Sequence, residues 1–185
     1  EGVMTIAGMR LVADRNDSLA AATLKHILSD PRQPTPQWII DRLTTQQTHR
    51  IERENGHANG IKAKWHLPWE TDVDLLQLES INRKTSSPHS VCGEVIEALD
   101  LLSRISSWGD VAQRCSNLDS ILKHVANYED EMLGSGQAAT LGGAILYLEK
   151  LASENNDIKF PPYGQDAVTI LTYHKAKGLQ WPIVI

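Results

Sequence analysis

The stretch VCGEVIEALDLLSRI, residues 91–105, places apolar side chains at Val91, Val95, Ala98, Leu102 and Ile105, in steps of four, three, four and three. That spacing follows one face of a helix turning every 3.6 residues. It does not fit a strand, whose faces alternate with period two. One continuous amphipathic helix is therefore expected here, with the stripe turned toward a core.

The same grammar runs outward in both directions. Downstream, Leu118, Ile121, Leu122, Val125 and Met132 repeat the stripe. Thr140 is placed to cap LGGAILYLEKLAS, whose Leu141, Ile145, Leu148 and Leu151 share a side. The intervening LGSGQAAT, residues 133–140, reads as a flexible joint. Upstream, Val3 to Ala13 is apolar enough for a first helix. Asp17 suits the N-cap of a second, with Ala20, Leu24, Ile27 and Leu28 on one face. Thr35 and Pro36 open a third. Thr71 caps another through about Asn82, before RKTSSP breaks the pattern. Arg50 to Pro68 is polar and irregular, a loop or lid whose end Trp65 and Trp69 pin to the body. Stripes of this kind are packing, and no chemistry is assigned to them.

Composition narrows the functions open to the chain. With 41% hydrophobic and 22% charged residues in 185, it can bury a core as one domain, or one domain and part of another. A formal net charge of −5 excludes DNA binding by bulk positive charge, leaving at most a local groove. Cys92 and Cys115 form no CxxC pair, and the seven histidines make no ligand-spaced cluster, so no metal site is expected. No apolar run approaches the ~20 residues needed to span a bilayer. No secretory signal opens the chain, so a cytoplasmic location away from membranes is expected.

The grammar changes after ENNDIKFPPYG, residues 154–164. AVTILTY is strand-like, a turn bearing Lys177 and Gly178 follows, and a second β-branched run begins at the end of the sequence. A lone strand cannot make a sheet. The expected fold is mainly α: a helical bundle over residues 1–162, and a short β stub over 163–185 belonging to a neighbouring α/β domain. The chain is thus expected to be a piece of a larger protein.

TYHKAKGLQWP, residues 172–182, resembles the fifth motif of the superfamily 1 DNA helicases of the UvrD/Rep/RecB type, which runs Thr-x-His-x-x-Lys-Gly-Leu-Glu and then an aromatic. Here the positions are Thr172, His174, Lys177, Gly178, Leu179, Gln180 and Trp181. MRLVADRNDSLAAATLKHIL, residues 9–28, more weakly resembles the start of the helical 2B insertion that interrupts the second RecA-like domain of these motors. The order, insertion and then motif, is also the family's.

The resemblance implies a parent that hydrolyses ATP with Mg2+ between two RecA-like domains and moves along single-stranded DNA in recombination and repair. The RecB and AddA branches also carry a fused nuclease. Thr172, His174 and Lys177 would lie on the DNA backbone, where hydroxyl, imidazole and ammonium groups donate to phosphate oxygens without reading sequence. Gly178 and Gln180 would face the nucleotide. Gly178 lets the backbone approach closely. Gln180, where the family has Glu, keeps an acceptor oxygen for a ribose hydroxyl but lacks the charge that makes such a bond roughly twice as strong.

No G-x-x-x-x-G-K-[ST] loop occurs in the chain, so it is expected to hold no ATP or metal by itself and to contain no catalytic residue. The implied partners are single-stranded or duplex DNA, the rest of the helicase polypeptide, and a partner subunit. Two other functions suit the same residues: a stand-alone helical interaction module whose tail adds to a partner's sheet edge, or a degenerate helicase-like regulator.

Overall fold

The computed structural model describes residues 1–28, 73–82 and 84–153, together with a helical set comprising Gln37, Ile39 to Asp41, Leu43, Thr44, Gln47 and Thr48. Seven helices are bounded among the described residues: α1 (Gly2–Ala13), α2 (Ser18–Leu28), α3 (Val73–Leu76), α4 (Pro88–Ala98), α5 (Leu101–Ser107), α6 (Val111–Gly134) and α7 (Leu141–Ser153). A 3-10 turn, Gln77–Ser80, extends α3. There is no strand among the described residues, and the architecture is mainly α. The expected β stub at 163–185, the boundary near residue 162 and the 50–68 loop lie outside them.

At the centre stands α1. Its sequence GVMTIAGMRLVA is apolar nearly all round, which is the pattern of a helix covered on every side. Met4, Thr5, Ala7, Gly8, Met9 and Val12 are all buried, and α2, α4, α6, α7 and the 3-10 turn pack around them. The polar Thr5 is tolerated because its hydroxyl donates to the Glu1 carbonyl at 3.2 Å. Val91, Cys92 and Val95 of α4, Leu118 and Val125 of α6, and Ala144, Ile145 and Leu148 of α7 complete the core. Ile27, expected inward on α2, is 38% exposed, and Ala21 is buried in its place.

Several helix starts follow from local chemistry. Asp17 caps α2: its Oδ1 accepts from the Ala20 amide at 2.9 Å. Ser87 caps α4, accepting from the Ser90 amide at 3.2 Å, and Pro88 takes the first turn, where its missing N–H costs nothing. Thr140 caps α7 through the Gly143 amide at 3.1 Å.

The 91–105 stretch is not one helix. It breaks after Ala98, with Asp100 in the left-handed region at φ 49°, ψ 42°. Leu99 and Leu101 are two residues apart, so a continuous helix would point them about 200° apart and could not send both inward. The break lets Leu99, Leu101 and Ile105 all be buried, and Leu102, expected on the inner stripe, is 62% exposed. Asp is a poor helix former that tolerates the left-handed region better than most residues.

The joint after α6 is also more ordered than expected. Gly136 adopts φ 70°, its amide donates to Leu133 O at 3.0 Å, and the Gln137 amide donates to Met132 O at 2.8 Å. Those two bonds and the left-handed glycine make a Schellman cap. Tyr128 then fastens the far side, its hydroxyl accepting from the Thr140 amide at 3.3 Å while its ring lies 5.7 Å from that of Tyr147. The phenol comes so close to Gly143 that a Cβ there would collide with it.

Asp17 also binds α2 to α1: its Oδ2 accepts from Arg10 Nε at 2.7 Å, and Arg10 reaches on to Glu149 of α7 at 3.2 Å. Burial of the Asp17 carboxylate works to raise its pKa. The Arg10 bond and the Ala20 amide outweigh that and hold it below the usual value. A depressed pKa contributes stability above the unfolded-state value, about 3.9, and loses it as pH falls through the folded one. Asp17→Ala is expected to lower stability by about 1 kcal/mol at pH 7. Urea unfolding at a series of pH values should show the gap to the parent chain narrowing as pH drops below about 4.

Candidate functional site

The five residues expected to touch DNA or nucleotide, Thr172, His174, Lys177, Gly178 and Gln180, all lie outside the described residues. So do Arg50, Arg53, Lys62 and Lys64 of the polar loop. The geometry described is that of the helical bundle.

Its most distinctive corner joins α5 to α6. Trp108 closes α5 and is 37% exposed. The Arg114 guanidinium lies over its indole at 5.6 Å from the ring centroid, a cation–π arrangement. Arg114 also donates through Nε to Gly109 O at 2.8 Å and through a terminal nitrogen to Glu1 Oε2 at 2.8 Å. Asn117 donates to the other Glu1 oxygen at 2.6 Å. Burial alone would raise the Glu1 pKa, but the Asn117 bond and Arg114 work to lower it. Gly109 and Asp110 both have positive φ, 78° and 49°. Sequence reasoning did not single out Trp108, Arg114 or Asp110, because the fold of the corner is set by the backbone angles at Gly109 and Asp110.

Cys92 is fully buried, and burial pushes its thiol up to about 12, so it offers no thiolate. Burial, with the charge of Glu131, likewise raises Tyr147. Among the described residues no group of three or more His, Cys, Asp or Glu is placed to hold a metal ion, and no helix is long and apolar enough to cross a membrane.

No family model matches the chain, and no solved structure matches it. Among curated proteins, the chain is similar to an ATP-dependent helicase/nuclease subunit of Ligilactobacillus salivarius (strain UCC118). The two are 29% identical over 97 residues, which make up 51% of this chain and 7% of that protein's length.

Proposed function

We propose that this chain is the helical insertion of a superfamily 1 DNA helicase, together with the strand–loop–strand that returns to the motor's second RecA-like domain. The observation that carries the proposal is the run Thr172, His174, Lys177, Gly178, Leu179 with its trailing aromatic Trp181. The local likeness to a helicase/nuclease protein also supports it. A mainly helical bundle preceding that run suits an inserted subdomain.

In this proposal the phosphate loop and Mg2+ site lie elsewhere in the parent polypeptide, and Gly178 and Gln180 face the ATP bound there. The bundle regulates unwinding by contacting DNA or a partner subunit, while Thr172, His174 and Lys177 hold the phosphate backbone of the translocating strand. A fused nuclease of the AddA kind is part of the same proposal. With few cations available to release counterions, the 185-residue chain alone is expected to bind single-stranded DNA weakly and in a salt-sensitive way.

The test is made on the native polypeptide, first by its intact mass and then by its hydrolysis of ATP with and without single-stranded DNA. A mass several times 20.5 kDa and DNA-stimulated hydrolysis are the expected results. Lys177→Ala should weaken single-stranded DNA binding similarly across sequences and reduce the slope of log affinity against log salt by about one. A native mass near 20.5 kDa, or no DNA-dependent hydrolysis, would end the proposal and leave the helical interaction module in its place.

A further inference from the structure

Two corners of the bundle are built to one pattern. At the first, LDLLSR (residues 99–104), Asp100 sits at φ 49°, ψ 42° directly before α5. At the second, GDVAQR (residues 109–114), Asp110 sits at φ 49°, ψ 46° directly before α6. In each, the arginine four residues after the aspartate donates its backbone amide to the aspartate carbonyl, at 3.1 Å for Arg104 and 3.0 Å for Arg114. Its Nε folds back to the carbonyl of the residue before the aspartate, Leu99 O or Gly109 O, at 2.8 Å in both cases. In neither corner does the aspartate side chain cap the helix it precedes.

Between the corners, α5 is seven residues long, too short to persist on intrinsic helix propensity. Two of its side chains, Leu101 and Ile105, reach the core. Leu102, Ser103, Ser106 and Ser107 face outward. Non-glycine residues in the left-handed region store strain, which surrounding contacts must offset. Here the strain lies at both ends of one short helix, and an arginine side chain braces each end.

We propose that α5 is a hinged strut: it leaves the bundle and re-seats as one unit, pivoting at Asp100 and Asp110, with Arg104 and Arg114 as the braces that hold it closed. Opening withdraws Leu101 and Ile105 from the core and takes Trp108 out from under Arg114, while α4 and the body of α6 keep their packing. The inference rests on the paired corners and is independent of the helicase proposal.

Amide hydrogen exchange on the native polypeptide tests it. The amides of Arg104 to Trp108 are expected to exchange at least tenfold faster than those of central α4 and central α6, through an opening with weak urea dependence. Asp100→Gly and Asp110→Gly relieve the left-handed strain and should each slow exchange in α5 by roughly fivefold, leaving α4 unchanged. Arg104→Gln removes one brace and should speed α5 by a similar factor. Asp100→Asn keeps a residue tolerant of the left-handed region, so the comparison survives if a glycine variant folds poorly. Exchange of α5 in step with α4 and α6, or corner substitutions that move all three helices equally, would overturn the hinge and reduce the corners to static turns.

Discussion

Ile105→Ala is expected to cost about 3 kcal/mol of folding stability, while Leu102→Ala, three residues away on the same helix, changes it by less than about 0.5 kcal/mol. Ile105 is fully buried and Leu102 is 62% exposed, because the chain turns at Asp100 and α5 starts with a new phase. The loss at Ile105 combines the transfer of an apolar side chain to water with the hole left between α4, α5 and α6. A single unbroken helix would put both residues on its inner stripe and make both substitutions costly. Urea denaturation of the two variants therefore decides the phase of α5. Comparable losses at 102 and 105 would mean that the break at Asp100 is wrong.

Gly8→Ala is expected to cost about 1 kcal/mol net, although alanine is the better helix former. A Cβ built on Gly8 falls 2.5 Å from Val95 Cγ1 and 3.2 Å from Leu99 Cδ1, both on fully buried side chains. Val95 is β-branched and stiff about χ1, so it cannot rotate away cheaply. Forcing a methyl into such a contact costs about 1–3 kcal/mol, offset by roughly 1 kcal/mol of helix propensity. Val95→Ala removes the methyl in the way. The double variant Gly8→Ala, Val95→Ala should thus be more stable than the sum of its single changes implies, by about 1–2 kcal/mol. Additive losses would mean that α1 and α4 do not approach as closely as Gly8 and Val95 indicate.

How much of this was legible in the sequence depended on how local the cause was. The caps at Asp17 and Thr140 were legible, because a side-chain oxygen that meets an amide three residues on depends only on local chain geometry. The stripe through Leu118 and Val125, and that through Ile145 and Leu148, were legible as well, since each helix keeps one phase along its length. At Asp100 the phase resets, and periodicity carried across it assigned Leu102 to the wrong side. A clue was present: an aspartate followed four residues later by an arginine recurs ten positions on, as Asp100 with Arg104 and Asp110 with Arg114. Reading it needed the backbone angles. The joint at 133–140 looked loose by composition, but Gly136 is the residue a Schellman cap requires and Tyr128 arrives from earlier in α6 to hold Thr140.

The candidate site stands differently. Thr172, His174, Lys177, Gly178 and Gln180 are singled out by a joint pattern of residue types, and no distance or burial among the described residues bears on them. Their assignment to DNA and nucleotide rests with that pattern and with the Lys177→Ala titration.

The central position of α1 has a consequence for how the molecule is made. Arg10 bonds to Glu149, 139 positions later, so α1, made before the other helices of the bundle, finds its last neighbour only when α7 has emerged. At roughly 5–20 residues per second, that wait is on the order of ten seconds. Throughout it Met4, Met9 and Val12 have only α2 and whatever has followed to cover them. A nascent chain paused before α7 should accordingly be the form most readily captured by a ribosome-associated chaperone, and release should follow the emergence of Glu149.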